Sequence, residues 1–462
     1  MTTSVIERKR MAGIGLVKLT EKVNFRLLAG AMGLFALFVI LFTYVQFGTP
    51  ALAGNDGYYH IKMGLLIRQQ GLKPEFPWLP MTILNSASFY DHHLLYHAYL
   101  ALFANVDPAI DGGAALTQSA KIASIILPSL AFMAVWWLLR GQGVRWAAIW
   151  ALGLFAVSEA FLYRMSMPRA QSASLLVLAL GLHWMLQRHY WRLLPLGFVY
   201  VWLYNAFPLL IVLAGVYFVA AWIDERRVAW QVLVYPAVGI GLGLLINPYF
   251  PQNVSFIINH LLPKIGESGT RVGNEWYPYK TWTLVENSGF ALALFVLGAM
   301  ALGWREKRMN RAVLVAFALA VLFGYMLFKS RRFVEYFPAF ALIFAALSIA
   351  PILDSWREKR PMMKWVLPVG LLLLMAYPLY TTLGQARESL SRSKPADKYA
   401  EAMLWLRDNS APGTMVFQTD WDDFTRLFFY NTDAVYTAGL DPTYMELYDQ
   451  GLYDEWVRIT RG

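Results

Sequence analysis

Long apolar stretches, separated by short polar ones, run through most of the chain. A helix of about 17 to 25 mainly apolar residues crosses the hydrocarbon core of a bilayer, so each such stretch predicts a span. The pattern predicts a mostly α-helical, polytopic transmembrane bundle of about eleven spans. They are expected at residues 27–48, 120–139, 146–163, 172–187, 193–206, 208–222, 229–246, 289–303, 312–328, 333–350 and 365–383.

The charges of the polar segments predict on which side of the membrane each segment lies. Residues 1–26 are basic but lack the compact apolar core and small-residue cleavage site of a signal peptide, which predicts a cytoplasmic tail and a retained first helix. Basic residues then recur in alternate loops, as the positive-inside rule requires of cytoplasmic loops. They are Arg140, Arg145, Arg188, Arg192, Arg226, Arg227, Arg305, Lys307, Arg308, Arg311, Arg357, Lys359, Arg360 and Lys364.

Three longer segments fall on the opposite, non-cytoplasmic side. Two are large loops, residues 49–119 and 247–288, within a transmembrane domain of residues 27–383. The third is residues 384–462, whose amphipathic and alternating stretches predict a small soluble α/β domain. The chain ends directly after a helix-like run, so we expect the natural protein to extend past residue 462. The expected helix of this domain is residues 397–409, and the expected strands are residues 414–418 and 434–440.

Composition narrows the class of protein further. Of the 462 residues, 58% are hydrophobic and only 15% are charged, which excludes an ordinary soluble globular protein. The net charge of +10 is distributed in short clusters between apolar stretches, so it indicates membrane topology and no nucleic-acid partner. The chain has no cysteine, which excludes disulfides and thiol chemistry.

Two short outer turns break the charge rule. Residues 164–169 and 329–332 are basic although they are expected outside the cytoplasm. Arginines placed against the topological preference suggest an anionic partner, such as a phosphate group at the membrane surface. The alternative is that these side chains reach the lipid headgroups and bind nothing else.

The first outer loop contains the residues best suited to chemistry. Asp56 follows the first span within the sequence GNDGYYH, and Asp91, His92 and His93 follow in the sequence YDHH. A carboxylate at the point where a helix leaves the membrane can hold a divalent cation, and nearby imidazoles can serve as further ligands or as a general base. The alternative is a hydrogen-bonded polar loop without a metal.

Four elements together resemble a known family. GNDGYYH is similar to the external-loop aspartate motif of the GT-C glycosyltransferases, most closely that of the catalytic subunit of bacterial and archaeal oligosaccharyltransferase. Residues 281–286 (TWTLVE) resemble the family's Thr-Ile-x-Glu element, with Glu286 as the glutamate. Residues 331–333 (RRF) resemble the arginine that contacts the carrier's diphosphate, and residues 420–424 (DWDDF) resemble the acceptor-binding Trp-Trp-Asp motif.

Two departures from the family pattern affect what the resemblance implies. The segment after Arg164 contains no counterpart of the acidic pair that completes the family's metal site. Either Asp56 and Glu286 bind the metal with help from Asp91, His92 or His93, or the protein works without a tightly held metal. Asp420 replaces the first tryptophan of the acceptor motif, so recognition of an Asn-x-Ser/Thr acceptor is not implied.

The resemblance implies an enzyme in a prokaryotic inner or plasma membrane with its active face outside the cytoplasm. It would transfer a sugar or oligosaccharide from a polyprenyl-phosphate or polyprenyl-diphosphate donor to a protein, lipid or glycan acceptor. The implied cofactor is a divalent metal, Mg or Mn. The implied roles are catalysis by Asp56 and Glu286, metal binding by Asp56, Glu286, Asp91, His92 and His93, donor-phosphate binding by Arg164, Arg169, Arg331 and Arg332, and acceptor binding by Trp421 and Asp422.

Two other classes of protein remain compatible with the sequence. A transporter or flippase of lipid-linked or anionic solutes would use the outer arginines as binding-site charges. Such proteins usually contain internal repeats and ionisable groups near the bilayer midplane, which this sequence does not show clearly. A non-catalytic relative that only supports a complex would explain the missing acidic pair.

Overall fold

A computed structural model describes residues 25–261, 273–304 and 309–461. The predicted cytoplasmic tail, residues 1–26, lies almost wholly outside the described residues, as do Arg305, Lys307 and Arg308. Up to residue 261 the helices are α1 (Phe25–Gln46), α2 (Asp56–Gln70), α3 (Leu94–Ala101), α4 (Pro108–Asp111), α5 (Ala114–Gly141), α6 (Ala147–Leu152), α7 (Glu159–Ser166), α8 (Gln171–Leu186), α9 (Leu193–Leu203), α10 (Pro208–Glu225), α11 (Gln231–Leu245) and α12 (Gln252–Phe256).

The second half of the chain is also mainly helical. Its elements are α13 (Thr281–Trp304), α14 (Arg311–Lys329), α15 (Phe337–Lys359), α16 (Met363–Ser391), α17 (Ala400–Asn409), strand β1 (Met415–Val416), α18 (Phe424–Tyr430), strand β2 (Val435–Tyr436), α19 (Thr443–Tyr448) and α20 (Gln450–Arg461). Short helical turns of the 3₁₀ type occupy Gly153–Phe155, Tyr190–Arg192, Asn274–Trp276, Arg331–Glu335 and Trp421–Asp423, and a π-helical turn occupies Ile257–Leu261.

The described helices confirm a multi-pass membrane protein but not a count of eleven spans. By length and composition, seven are able to cross a bilayer: α1, α5, α10, α13, α14, α15 and α16. Each remaining predicted span coincides with helix, but α8, α9 and α11 have only 16, 11 and 15 residues. A straight helix of that length is shorter than a typical hydrocarbon core.

The predicted span at residues 146–163 is broken. Helix α6 with its 3₁₀ extension and helix α7 are bent by 85° relative to each other, so that together they form at most one bent span. Helix α7 starts anew because Ser158 has an extended backbone and its hydroxyl accepts a hydrogen bond from the Phe161 amide at 3.1 Å. The bend brings the end of α7, with Arg164, to the same end of the bundle as the first outer loop.

Helix α15 forms the centre of the bundle. In its most apolar window 78% of the residues are buried, against 17% for α1 and 11% for α16, which present their side chains to the surroundings. Helices α9 and α11 approach closely at glycines. A Cβ atom on Gly239 would lie 2.0 Å from the Leu194 carbonyl oxygen, so only glycine permits this packing.

The loops predicted to be cytoplasmic meet at one end of the bundle. Arg145, between α5 and α6, is 2.6 Å from Asp354 near the end of α15. Arg188 and Arg311 both pair with Glu225 at the end of α10, at 2.8 and 2.6 Å. We call this the basic end, defined by these five residues. The loops predicted to be external therefore lie at the opposite end.

The C-terminal segment packs onto the first outer loop. Strands β1 and β2 lie within the two predicted strand segments and pair in parallel, with Met415 opposite Val435. Each has only two residues, so an α/β domain of the expected kind is not confirmed. The amide of Tyr436 donates to the carbonyl of Trp78 at 2.8 Å, and the Trp78 indole donates to the Thr432 carbonyl at 2.7 Å. This packing places the C-terminal segment beside a cavity at the outer end of the bundle.

Candidate active site

A cavity of about 710 Å³ opens at the end of the bundle opposite the basic end. Its walls come from the first outer loop, the α7–α8 connection, the Asn274–Trp276 turn, the turn before α15 and the C-terminal segment. Eight of the residues singled out from the sequence line it: Asp56, His92, His93, Arg164, Arg169, Arg332, Trp421 and Asp422. Helix termini thus bring residues far apart in sequence to one place.

Asp56 is the first residue of α2, and two glycines explain why the neighbouring loop comes so close to it. A Cβ atom on Gly57 would lie 2.5 Å from Cγ of Pro168. Gly54 has a φ of +71°, and a Cβ there would lie 2.4 Å from Cε of Met167. Because both positions lack a side chain, the loop packs directly on the start of α2. Arg169 Nη2 consequently lies 3.0 Å from Asp56 Oδ2.

Glu275 lies among three arginines. Its Oε2 atom is 2.8 Å from Arg164 Nη1 and 3.2 Å from Arg169 Nη1, and its Oε1 atom is 3.5 Å from Arg332 Nη1. The turn that carries it is fixed by Ser330, whose hydroxyl donates to the Glu275 carbonyl at 2.9 Å. Burial raises the pKa of the Glu275 carboxyl, but the three arginines outweigh burial and hold that pKa well below its usual value. Glu275 is therefore ionised at neutral pH.

Arg164, Arg169 and Arg332, which we call the arginine cluster, each have at least two polar or aromatic partners. Arg164 Nε donates to the buried Glu335 at 2.9 Å, and its Nη2 contacts the same oxygen. Arg332 donates to the Tyr204 hydroxyl at 2.5 Å and lies over the Trp276 ring at 4.9 Å. The three guanidinium groups face three carboxylates, those of Asp56, Glu275 and Glu335. This balance makes it possible to hold three cations in a partly buried site.

Three residues predicted for the site do not line the cavity: Glu286, Arg331 and Asp91, of which Asp91 belongs to the histidine chain described below. Glu286 is exposed on the first turns of α13 and does not line the cavity. Arg331 points away from it, since its Nε donates to the Pro278 carbonyl at 3.2 Å and its guanidinium lies over Tyr279. The second-loop glutamate that lies beside the arginines is Glu275, whereas the resemblance to the family implies Glu286 as the partner of Asp56. The second outer loop has three glutamates, Glu267, Glu275 and Glu286, and only the resemblance favoured the last of them.

The histidines and Asp91 form a hydrogen-bonded chain. His97 Nδ1 donates to Asp91 Oδ2 at 2.7 Å, and His60 Nδ1 lies 2.7 Å from His97 Nε2. The other carboxylate oxygen of Asp91 accepts from the His93 amide at 2.9 Å. Asp91 is 2% exposed and does not line the cavity, whereas His60 and His93 do. Burial lowers the pKa of His60 and His93 well below the usual value, and Arg169 lowers both further, so both are neutral at neutral pH.

The predicted metal ligands do not assemble into one set. Asp56 is paired with Arg169, Asp91 is turned toward His97, and Glu286 is outside the cavity. Among the residues that the structure describes, no three His, Cys, Asp or Glu side chains are grouped so that they could hold a metal ion. The donor groups in this cavity therefore do not fit a tightly bound divalent cation.

Trp421 and Asp422 line the side of the cavity formed by the C-terminal segment. Asn55 donates its side-chain amide to Asp422 and accepts from Arg426 Nε at 3.0 Å, which joins this segment to the residue next to Asp56. Burial raises the pKa of the Asp422 carboxyl, and the charge of Asp56 raises it further. The two aspartates are thus close enough to influence each other across the cavity.

Comparisons with known proteins find relatives among glycosyltransferases that act in membranes. No family model matches the chain. Over 252 residues, 46% of this chain and 28% of the relative, it is 23% identical to dolichyl-phosphooligosaccharide-protein glycotransferase 3 of Archaeoglobus fulgidus. The oligosaccharyltransferase AglB of that organism, solved with an inhibitory peptide and a dolichol-phosphate, has a TM-score of 0.65 at 14% identity over 92% of this chain and 68% of AglB.

A second kind of transferase has a similar fold. ArnT from Cupriavidus metallidurans, bound to undecaprenyl phosphate, has a TM-score of 0.51 at 15% identity, covering 87% of this chain and 84% of ArnT. An A. fulgidus oligosaccharyltransferase has also been solved with Zn and sulfate, with a TM-score of 0.58. This chain spans little more than a quarter of the curated relative that it matches in sequence. It has the GT-C fold, as its resemblance to the glycosyltransferase motifs predicted.

Proposed function

We propose that the protein is a GT-C glycosyltransferase that uses a polyprenyl-phosphate-linked or polyprenyl-diphosphate-linked sugar donor. The observation that carries this proposal is the arginine cluster beside Asp56 at one end of a transmembrane bundle. A donor whose tail lies in the bilayer presents its phosphate at the level where helices meet loops, and that is where these side chains lie. Two of the solved proteins with this fold, AglB and ArnT, contain a dolichol-phosphate and an undecaprenyl phosphate, which agrees with such a donor.

Arg164 and Arg332 are proposed to bind the donor phosphate. Guanidinium groups match phosphate oxygens in charge and in hydrogen-bonding geometry. Both arginines contact Glu275. The Arg332 contact, at 3.5 Å, is longer than the contacts of Arg164 and Arg169 with the same carboxylate. The phosphate would therefore replace the Glu275 carboxylate on these two arginines. As the bond between the sugar and the phosphate oxygen breaks, the same arginines would stabilise the negative charge left on the phosphate.

Asp56 is proposed to orient the acceptor, with Trp421 and Asp422 lining the approach. These three residues face the same cavity from the first outer loop and the C-terminal segment. The acceptor nucleophile would form a bond to the sugar carbon and pass its proton to the Asp56 carboxylate, while the phosphate leaves with the electrons of the broken sugar–oxygen bond. The acceptor, whether protein, lipid or glycan, is left open because the Trp421 motif departs from the peptide-binding pattern.

The active face is proposed to lie outside the cytoplasm. The basic end contains residues of the predicted cytoplasmic loops, such as Arg145, Arg188 and Arg311, and the cavity lies at the other end of the same helices. Positively charged loops remain preferentially in the cytoplasm. The cavity then opens toward the exterior, in a prokaryotic inner or plasma membrane.

The proposal is tested by assaying the purified full chain in lipid nanodiscs with synthetic polyprenyl-phosphate-linked and polyprenyl-diphosphate-linked sugars. Asp56→Ala is expected to reduce transfer by about 10²- to 10³-fold while folding and insertion are unchanged, since Asp56 is a partly exposed residue at a helix start. Asp354→Ala at the basic end is the matched control and should leave transfer unchanged. Full activity of Asp56→Ala would falsify the assignment. Movement of the donor across the membrane of proteoliposomes, without transfer of its sugar, would favour a flippase.

A further inference from the structure

We infer that the guanidinium group of Arg169 occupies the position of a divalent cation, so that the positive charge beside Asp56 is part of the polypeptide. The role of this charge in catalysis rests on the proposed function. The exclusion of a metal from the site is independent of the proposed function and can be tested separately. The inference rests on how Arg169 is bonded, on how it is held in place and on which charges surround it.

Arg169 bridges two carboxylates that come from different outer loops. Its Nη2 atom lies 3.0 Å from Asp56 Oδ2, and its Nη1 atom lies 3.2 Å from Glu275 Oε2. A divalent cation held by Asp56 and by Glu275, the second-loop glutamate that lines the cavity, would occupy the space between these two groups. A guanidinium group takes that place and connects the two carboxylates.

The bridging position of Arg169 is fixed by the local backbone. Its amide donates to the Met167 carbonyl at 2.8 Å, which forms a tight turn one residue before the N-cap of α8. Pro168 within that turn packs on Gly57, where any Cβ atom would collide with it. The Arg169 side chain is only 19% exposed. A side chain anchored at both ends in this way would have to leave its pocket before a cation could take the place between Asp56 and Glu275.

The charges around Asp56 also oppose a metal ion. Glu275 is shared with Arg164 and Arg332, so a cation that used this carboxylate would lie next to two further guanidinium groups. Asp91, the remaining predicted carboxylate of the first loop, is bonded to His97 and faces away. A dication would meet repulsion from the arginine cluster, and among the described residues no group of three His, Cys, Asp or Glu side chains is placed to offset it.

Metal binding by the purified full chain tests the inference directly. Mn²⁺ titration followed by electron paramagnetic resonance should show no bound Mn²⁺ that depends on Asp56 at concentrations up to the millimolar range. Asp56→Asn, which keeps the shape of the side chain, provides the comparison. One equivalent of Mn²⁺ bound by the wild type and lost in Asp56→Asn would overturn the inference, whether or not the protein transfers sugar.

Transfer assays in nanodiscs test the catalytic part. Excess EDTA should change the wild-type rate by less than about twofold, whereas Arg169→Ala should lower it about 10²-fold and Arg169→Lys should recover part of the loss. Arg188→Ala is the matched control, and thermal unfolding of each variant separates loss of charge from loss of fold.

Abolition of wild-type transfer by EDTA, with recovery in Mn²⁺, would refute the inference. Absence of transfer by the wild type in every condition would instead refute the proposed function, and the Mn²⁺ result would still stand.

Discussion

Arginines occur at both ends of the helical bundle, but their surroundings differ. At the basic end, Arg145 and Arg188 are 44% and 45% exposed, and each has one carboxylate partner. At the other end, Arg164 and Arg332 are 13% and 23% exposed, and both share Glu275 with further polar or aromatic contacts. Exposed pairs contribute little to stability and suffice for membrane orientation. A partly buried, multiply bonded set of charges is costly to desolvate and is typical of a functional site.

The largest difference in the rate of transfer is expected between alanine variants of two adjacent arginines, Arg331 and Arg332. Arg332→Ala is expected to lower the rate of transfer about 10²- to 10³-fold, equivalent to about 2.7–4 kcal/mol of transition-state stabilisation, because this guanidinium faces the cavity. Arg331→Ala should change the rate by less than about twofold, because Arg331 contacts Pro278 and Tyr279 outside the cavity. Steady-state assays with saturating donor measure both. Equal losses in the two variants would contradict the placement of the donor phosphate.

The sequence predicted most helices because the bilayer imposes a length on apolar segments, and hydropathy records that length directly. It did not predict the 85° bend within residues 146–163, since the run stays apolar through the break and the cap at Ser158 is a single hydroxyl. The short helices α8, α9 and α11 were likewise indistinguishable from full spans. Hydropathy detects burial but not where a helix stops within a buried region.

Residues of the candidate site could be proposed from the sequence where they stand in a recognisable local motif. Asp56 and Arg332 were proposed in this way, and both line the cavity. The position of Glu275 depends on how the turn from Asn274 to Trp276 packs against Ser330, which no local pattern reports. The bridge from Asp56 to Arg169 joins residues more than a hundred positions apart. The only sequence signals for it were the two glycines around Asp56 and the basic outer turn.

A smaller effect is expected from two glutamates of the second outer loop. Glu275→Gln removes the carboxylate that competes with the donor phosphate for Arg164 and Arg332, so the Kd of the donor should fall by up to about tenfold, or about 1.4 kcal/mol. Because the arginines hold the pKa of Glu275 well below its usual value, the wild-type carboxylate competes throughout the neutral range. Glu286→Gln, at an exposed position, should leave the Kd unchanged. Binding of a fluorescent polyprenyl phosphate in nanodiscs distinguishes the two.

Either of two results would contradict this view of the second loop. Weaker donor binding in Glu275→Gln would show that the carboxylate supports the arginine cluster in the donor-bound state. A marked loss of transfer in Glu286→Gln alone would show that α13 moves so that its exposed glutamate reaches the cavity, as the resemblance to the family motif implies.

The smallest effect should come from the basic end. Arg188→Ala removes a pair with Glu225 in which Arg188 is 45% exposed, so we expect a stability loss of about 0–1 kcal/mol and no change in transfer. Glu225 keeps a second partner, Arg311, at 2.6 Å, and is therefore not left as an isolated charge. Thermal unfolding of the purified chain measures the first quantity and the transfer assay the second. A destabilisation of several kcal/mol would mean that charges at the basic end also hold the helices together. The basic end would then do more than orient the protein in the membrane, and the contrast with the cavity end would not hold.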